Sequence, residues 1–236
     1  KNLNLHHGVV VSDKFMKAME NDESWDLIDP NSKDKIKTVK ARQLWIKILE
    51  ARVATGEPYI MFGDTVQKGL PKTQKDLGLK VTHSNLCSEI TLATNTERTA
   101  VCCLSSVNVE KFDEWKDNEL FINDLMRMLD NVLTHFIDVA PSYMWRAIAS
   151  AKSERSIGLG AMGFHTYLQS KSVPIESDEA MSWNKIIFKH IHTKALTANH
   201  VLGKERGEPS DMKGTGKRFA HMIAIAPNAS SSIICG

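Results

Sequence analysis

The chain is short of most features that would sort a protein quickly. It has 4 cysteines in 236 residues, and they build no metal or disulfide framework. Cys87 stands alone, Cys102 and Cys103 are adjacent, and Cys235 is nearly terminal. Unbridged thiols of this kind suit a reducing, cytoplasmic setting. No apolar run is long enough to span a bilayer, and no signal-peptide pattern opens the chain. Neither sign of charge is in excess: 30 Lys and Arg face 28 Asp and Glu, for a net charge of +2. That balance, with no basic stripe, argues against a nucleic-acid binder. Short pieces such as KRFAH and GKERGE read as solvated surface. No Gly-rich loop runs into a lysine, so a P-loop is excluded. Internal repeats and low-complexity tracts are missing too.

What is present describes an ordinary globular protein, with 42% hydrophobic and 25% charged residues. The length allows one large domain or two small ones. Beginning at Lys1 rather than Met, and stopping after a polar loop, the sequence reads as a piece of something longer. A helix is expected over 31–58, where Ile36, Val39, Leu44, Ile48 and Ala51 roughly follow helical spacing and Gly56 with Pro58 supplies a stop. PYIMFGD reads as a strand, and Thr65 to Gly78 as a loop. AVCCLSSVNV is strand-like, and 110–138 reads as one long helix with Phe121, Leu125, Met128 and Leu129 on one face. Pro141 permits a new helix through SYMWRAIASAK. A Gly-rich turn is expected at SIGLGAMGFH, and Ser177 is a good N-cap for a helix over 178–205. FAHMIAIAP reads as a buried strand breaking at Pro227. Alternating helices and short strands predict an α/β fold.

The chemically unusual stretch is THSNLCSEITL. If it is extended, Asn85, Cys87 and Glu89 share one face, with Leu86 and Ile90 on the other. A thiol is easily oxidised, a carboxylate can take a proton from a hydroxyl, and an amide can hold a hydroxyl by donating and accepting. A buried strand end with chance polar residues remains the alternative. In APNASSSIICG, small hydroxyl residues precede a possible helix start, where unpaired N–H groups favour a phosphate. A plain Ser-capped helix explains that stretch equally. The pattern G-x-G-x-x-G at Gly158, Gly160 and Gly163 follows a helical rather than a strand-like segment, so close backbone packing at a turn explains it better than dinucleotide binding. His190 and His192 face different ways on a helix and make a poor metal pair. A Cys–His hydrolase built on His83 and Cys87 has thin support.

Taken together, LNLHHGVVVSDKFM, EARVATGEPYI, SNLCSEI, AVCCLSSVNV, RSIGLGAMGFHTYL and PNASSS cover nearly the whole chain. With these motifs it resembles the large (alpha, catalytic) subunit of class I, aerobic ribonucleoside-diphosphate reductases, in a phage-like form. The resemblance implies part of a helix-rich, ten-stranded α/β barrel. It implies one partial catalytic domain over 1–236, with a finger loop at about 79–93 and a phosphate loop at about 227–233. Cys87 would become a thiyl radical that takes the 3′ hydrogen of a ribonucleoside diphosphate. Glu89 would act as base on the 3′ hydroxyl, and Asn85 would bond the ribose hydroxyls, with Ser84 among the substrate contacts. Cys102 would be one member of the redox cysteine pair, whereas Cys103 reads as a small buried apolar residue. Asn228, Ala229, Ser230, Ser231 and Ser232 would hold the diphosphate.

The resemblance also implies partners. They are a metal-containing small (beta) subunit that supplies the radical, thioredoxin or glutaredoxin as reductant, a second large subunit in a homodimer, and the complementary remainder of the large subunit. No metal or other cofactor is expected in this chain itself. Matches to the regulatory N-terminal region, the radical-relay tyrosines, the C-terminal cysteine pair and the upstream partner of Cys102 are missing. The expectation is therefore a cut subunit or the product of a split gene. A catalytically incomplete assembly module, holding nucleotide only with its partner, is the alternative. The contiguous N-x-C-x-E and the CLSSVN context favour the oxygen-dependent class over cobalamin-dependent or glycyl-radical enzymes on the same fold.

Overall fold

A computed structural model describes residues 5–235. The chain divides into two compact units, one formed by 1–70 with 80–92 and the other by 71–79 with 93–236.

In the first unit, β1 (Gly8–Val11) leads into α1 (Asp13–Glu20), whose N-cap Ser12 accepts the Phe15 N–H at 3.1 Å. Strands β2 (Ser24–Ile28) and β3 (Lys35–Lys40) form an antiparallel hairpin. Asp29 shapes its turn, accepting the N–H groups of Asn31 at 2.8 Å and Ser32 at 2.9 Å. The helix expected over 31–58 is therefore shorter. Its Ile36 and Val39 lie on β3, where Lys35 to Thr38 alternate charged with β-branched residues as a strand prefers, and α2 covers Ala41–Thr55. Gly56, at φ +79°, ends α2 by donating to Arg52 O at 2.7 Å. The strand expected at PYIMFGD is β4 (Tyr59–Phe62), parallel to β1 with Gly8 opposite Tyr59 and Val11 opposite Phe62. The following stretch is no simple loop: α3 (Gly63–Gly69) forms directly after β4. Val11, Phe15, Ala18 and Ala41 make the core, and Phe15 packs edge-on to Trp25 with centroids 5.2 Å apart.

The second unit opens with α4 (Lys72–Asp76), again where a loop was expected. β5 (Leu104–Asn108) is shorter than AVCCLSSVNV suggests, leaving Cys102 and Cys103 ahead of it. The single long helix expected over 110–138 is broken into α5 (Phe112–Trp115) and α6 (Phe121–Val139). Asn118 causes the break, since its side chain accepts the Leu120 N–H at 3.0 Å and its carbonyl the Phe121 N–H at 3.3 Å. The buried stripe of α6 is Ile122, Met126, Leu129 and Leu133; Met128 points to solvent. α7 (Trp145–Glu154) follows Pro141 as expected.

The glycine-rich stretch is a strand rather than a turn. β6 (Gly158–Met162) pairs in parallel with β5, with Leu104 opposite Gly158 and Asn108 opposite Met162. Strands joined by helices in this way are the unit from which an α/β barrel wall is built. Gly163, at φ +77°, turns the chain into α8 (Phe164–Ser170). α9 (Asp178–Arg206) is capped as predicted, with Ser177 Oγ accepting the Ala180 N–H at 3.1 Å. Leu159, Met126, Leu129, Tyr167, Ile187, Leu202 and Phe219 fill one core between β6, α6 and α9. Each fully buried side chain of this kind contributes about 1.5–3 kcal/mol by burial. α10 (Ala229–Cys235) closes the described chain.

Candidate functional site

Within the first unit, segment 80–92 starts from a firm base. Gln67 on α3 imitates a neighbouring strand, with Nε2 donating to Val81 O at 2.5 Å and Oε1 accepting the Val81 N–H at 3.3 Å. Beyond this point the segment is not extended. The Ser88 N–H bonds Asn85 O at 3.1 Å, so Leu86 and Cys87 occupy the middle of a tight turn, and Ser88 has φ +66°. Asn85 Oδ1 also accepts the Ile90 N–H at 3.1 Å, while Ser84 Oγ donates to Ile90 O at 2.7 Å and to Asn85 Oδ1 at 3.3 Å. An asparagine carbonyl competes well with a strand ladder, and here it wins. The expected row of Asn85, Cys87 and Glu89 on one extended face is therefore corrected: a closed turn, not the strand period, presents these three residues.

This closure sets what each side chain can do. Cys87 is exposed at the turn. Asn85 uses its carbonyl oxygen internally, which leaves Nδ2 as its donor to a ligand. Glu89 is half-buried, and its Oε2 is buried with no hydrogen-bond partner among the described residues. A buried acceptor in that condition is costly unless a ligand serves it. A cavity of about 250 Å³ lies beside the segment, lined by Tyr59, Ile60 and Met61 of β4 and by His83, Ser84 and Asn85.

The remaining sequence-predicted residues belong to the second unit. Cys102 is exposed just before β5. Cys103 packs against the core, its Sγ donating to Leu129 O at 3.6 Å, and burial raises its thiol pKa. The expectation of a small apolar role for Cys103 fits that position. FAHMIAIAP does not form a full strand. Ile157 N–H, just ahead of β6, bonds His221 O at 3.1 Å, Leu159 N–H bonds Met222 O at 2.8 Å and Ala224 N–H bonds Leu159 O at 3.4 Å, so the register slips by one residue and pairing with β6 shrinks to the bridge between Leu159 and Ile223. Glycines let this segment approach. A Cβ on Gly160 would sit 2.4 Å from Ala224 O, and one on Gly158 2.7 Å from the Ala224 Cβ. Close packing was the right expectation, on a strand rather than at a turn.

That approach positions the loop beyond it. Asn228 Nδ2 donates to Ala226 O at 2.8 Å and to Ala161 O at 3.4 Å, so its side chain serves the backbone. Its carbonyl accepts the Ser232 N–H at 2.8 Å, starting α10, and Ala229, Ser230, Ser231 and Ser232 are exposed. His190 packs on the Phe112 and Trp115 rings, whereas His192 is exposed. Sequence reasoning missed Gln67, Gln74, Arg98 and Asp211, whose partners lie too far along the chain for any local spacing to reveal. Among the described residues, no cluster of three His, Cys, Asp or Glu side chains could hold a metal ion, and no helix is long and apolar enough to cross a membrane.

Parallel strand–helix–strand pairs, with a thiol on a tight turn in one unit and a small-residue loop beyond a strand in the other, mark the chain as part of an α/β barrel protein. Comparison with known proteins narrows that class. The family profile described as ribonucleotide reductase, barrel domain, matches residues 1–216, and the chain belongs to this family. It is 52% identical over 239 residues to a candidate ribonucleoside-diphosphate reductase large subunit of Frog virus 3 (isolate Goorha), covering 100% of this chain and 42% of that protein. It is 55% identical over 212 residues to the ribonucleoside-diphosphate reductase large subunit of Invertebrate iridescent virus 3, covering 90% of this chain and 34% of the relative. Among solved structures, the alpha subunit of the Actinobacillus ureae class Id ribonucleotide reductase matches with a TM-score of 0.87 and 38% identity, over 98% of this chain and 42% of that one. The chain is thus a partial large subunit, spanning less than half the length of these relatives.

Proposed function

We propose that this chain carries the radical-reacting part of a ribonucleoside-diphosphate reductase, which converts ribonucleoside diphosphates to 2′-deoxyribonucleoside diphosphates. The observation that carries the reading is the turn at Asn85–Ser88, with Cys87 exposed on it and an unserved Glu89 oxygen two residues on. A small subunit containing a metal centre supplies the radical. The Cys87 sulfur, as thiyl radical, takes the hydrogen atom from C3′ and becomes a thiol. Glu89 takes the 3′-hydroxyl proton, and the Asn85 NH2 group holds a ribose hydroxyl. The 2′ hydroxyl leaves as water with one added proton. Cys102 and a second cysteine outside this chain supply two electrons and two protons, one proton going to the departing water and the other, with the electrons, to the new C2′–H bond. The two cysteines end as a disulfide, and Glu89 returns its proton to the 3′ oxygen. Cys87 then returns its hydrogen to C3′ and the radical is regenerated. Thioredoxin or glutaredoxin restores the dithiol.

Backbone and hydroxyl groups of Ala229, Ser230, Ser231 and Ser232 hold the diphosphate, with Asn228 shaping their turn and Ser84 doing the same for the finger. Thiol and base chemistry fit this assignment better than hydrolysis, because among the described residues the hydrogen bond of His83 runs to Thr82 Oγ1 at 2.8 Å and not to Cys87. The subunit acts as a homodimer in the reducing cytoplasm. To test the reading, the chain is combined with the segments that complete the large subunit and with the small subunit, and deoxynucleotide formation is measured. Cys87→Ser is expected to abolish turnover while nucleoside diphosphate binding persists. Full activity in Cys87→Ser would refute the assignment. The second reading is an assembly module without chemistry of its own, which holds nucleotide only with its partner. It predicts no turnover in any reconstitution.

A further inference from the structure

We propose that Asp211 is a positioning residue for Cys87: one buried carboxylate ties together the two feet of the segment that carries the thiol. Segment 80–92 is flanked by 71–79 and by the chain from Ala93 onward, and both flanks belong to the second unit. On the leading side, Gln74 of α4 is fully buried and its Nε2 donates to Asp211 Oδ2 at 3.1 Å. On the trailing side, Arg98 grips the same carboxylate with both prongs, Nη1 to Oδ2 at 2.6 Å and Nη2 to Oδ1 at 2.7 Å. Asp211 is 1% exposed, so this pairing is shielded from water.

Neighbouring contacts hold the clamp in one geometry. Gln74 Nε2 also donates to Glu154 Oε2 at 3.2 Å, and Glu154 accepts from Ser150 Oγ at 3.1 Å and Ser156 Oγ at 3.2 Å. Thr73 Oγ1 reaches Met212 Sδ at 3.5 Å, next to Asp211. Arg98 is aimed by a small ring in which Asn95 and Arg98 exchange backbone bonds at 3.2 and 3.3 Å. Fixing both ends of a loop at one point removes much of the conformational freedom its middle would have. A loop that must present a sulfur to within bonding range of one hydrogen cannot tolerate that freedom, since small misplacements of a reacting atom lower the rate steeply. Asp211 touches neither thiol nor substrate and acts only through Gln74 and Arg98.

What Cys87 does rests on the proposed reductase reading, but the clamp does not, and two experiments keep them apart. In the first, amide hydrogen exchange is followed on this chain. Asp211→Asn keeps the shape and loses the ionic fork, Arg98→Lys keeps the charge and loses the two-pronged geometry, and Gln74→Met keeps the volume and loses the amide. Each is expected to accelerate exchange over 80–92 by about tenfold or more, with α6 and α9 still protected. If Asp211→Asn unfolds, seen as lost protection in α6 and α9, the other two variants decide. Exchange over 80–92 within about twofold of the parent in the folded variants overturns the proposal.

In the second experiment, on the completed subunit with its small subunit, Arg98→Lys and Gln74→Met are expected to lower kcat by about tenfold while KM for the nucleoside diphosphate stays within about twofold. A rise in KM at constant kcat overturns the positioning role. Retained activity in Cys87→Ser, with fast exchange in the clamp variants, would sink the reductase reading and leave the clamp standing.

Discussion

In the proposed site Asn85 would have two jobs that pull against each other. Its carbonyl oxygen closes the turn through the Ile90 N–H and its amide is left for a ligand, so replacing it removes both. Asn85→Ala is expected to loosen the turn by about 1 kcal/mol, the worth of one hydrogen bond, with faster exchange at Ile90 as the direct readout. Asn85→Asp keeps the acceptor and loses the donor, so it should retain Ile90 protection while weakening nucleotide binding. His221 offers a second residue-scale test. Burial lowers its pKa to about 4, and the nearby Asp211 charge only partly opposes that. A histidine whose folded pKa lies below the unfolded value of about 6.5 takes up a proton on unfolding between those two values. Stability contributed by its neutral form is thus present above pH 6.5 and lost as pH falls toward 4, about 3 kcal/mol in all. Glu154, raised by burial, works in the opposite sense as pH climbs above its ordinary value. Urea unfolding between pH 4.5 and 7 should therefore show a flatter slope with pH on the acid side in His221→Gln.

At the level of strands and helices, β6 is the element most sensitive to size. Gly160→Ala would drive a methyl group against Ala224 O, a backbone atom that cannot swing aside. We expect a loss of about 1–3 kcal/mol in urea unfolding, accompanied by weaker nucleoside diphosphate binding because the segment leading to Asn228 is pushed outward. Ser177→Ala on α9, by contrast, should cost about 1 kcal/mol with binding unchanged.

The same two elements show what could be read in advance. Ser177, Gly56 and Pro141 announced their boundaries because caps and breakers act on their own neighbours, and β4 and α9 followed. β6 was missed because its glycines look like turn formers until a partner backbone needs the room. The break at Asn118 and the turn at Asn85 share another cause: asparagine side chains bonding nearby N–H groups, which a periodicity of apolar residues does not register. Cys87 and Glu89 stood out by their alternate spacing with Asn85 in a half-apolar stretch. The way they are presented did not, because it depends on Ser84 and Ile90 closing a ring.

As a whole molecule, the chain has the family's barrel segment in two compact units and spans 42% and 34% of the Frog virus 3 and Invertebrate iridescent virus 3 relatives. Many large apolar side chains are open to solvent, among them Ile46, Leu49 and Val53 along one side of α2. Addition of the complementary part of a large subunit is expected to bury them. The measurable outcome is a higher urea midpoint for the mixture than for the chain alone, together with the appearance of turnover once the small subunit is added.

Gln67 carries a consequence for how the reactive sulfur is governed. By grasping both polar atoms of Val81, a helical side chain has taken the place of a neighbouring strand at the root of the finger. A shift of α3 would thus pull on Val81, six residues ahead of Cys87 on the same segment. A ligand that settles against that helix, without ever meeting the ribose, would steer the thiol as a tiller steers a boat.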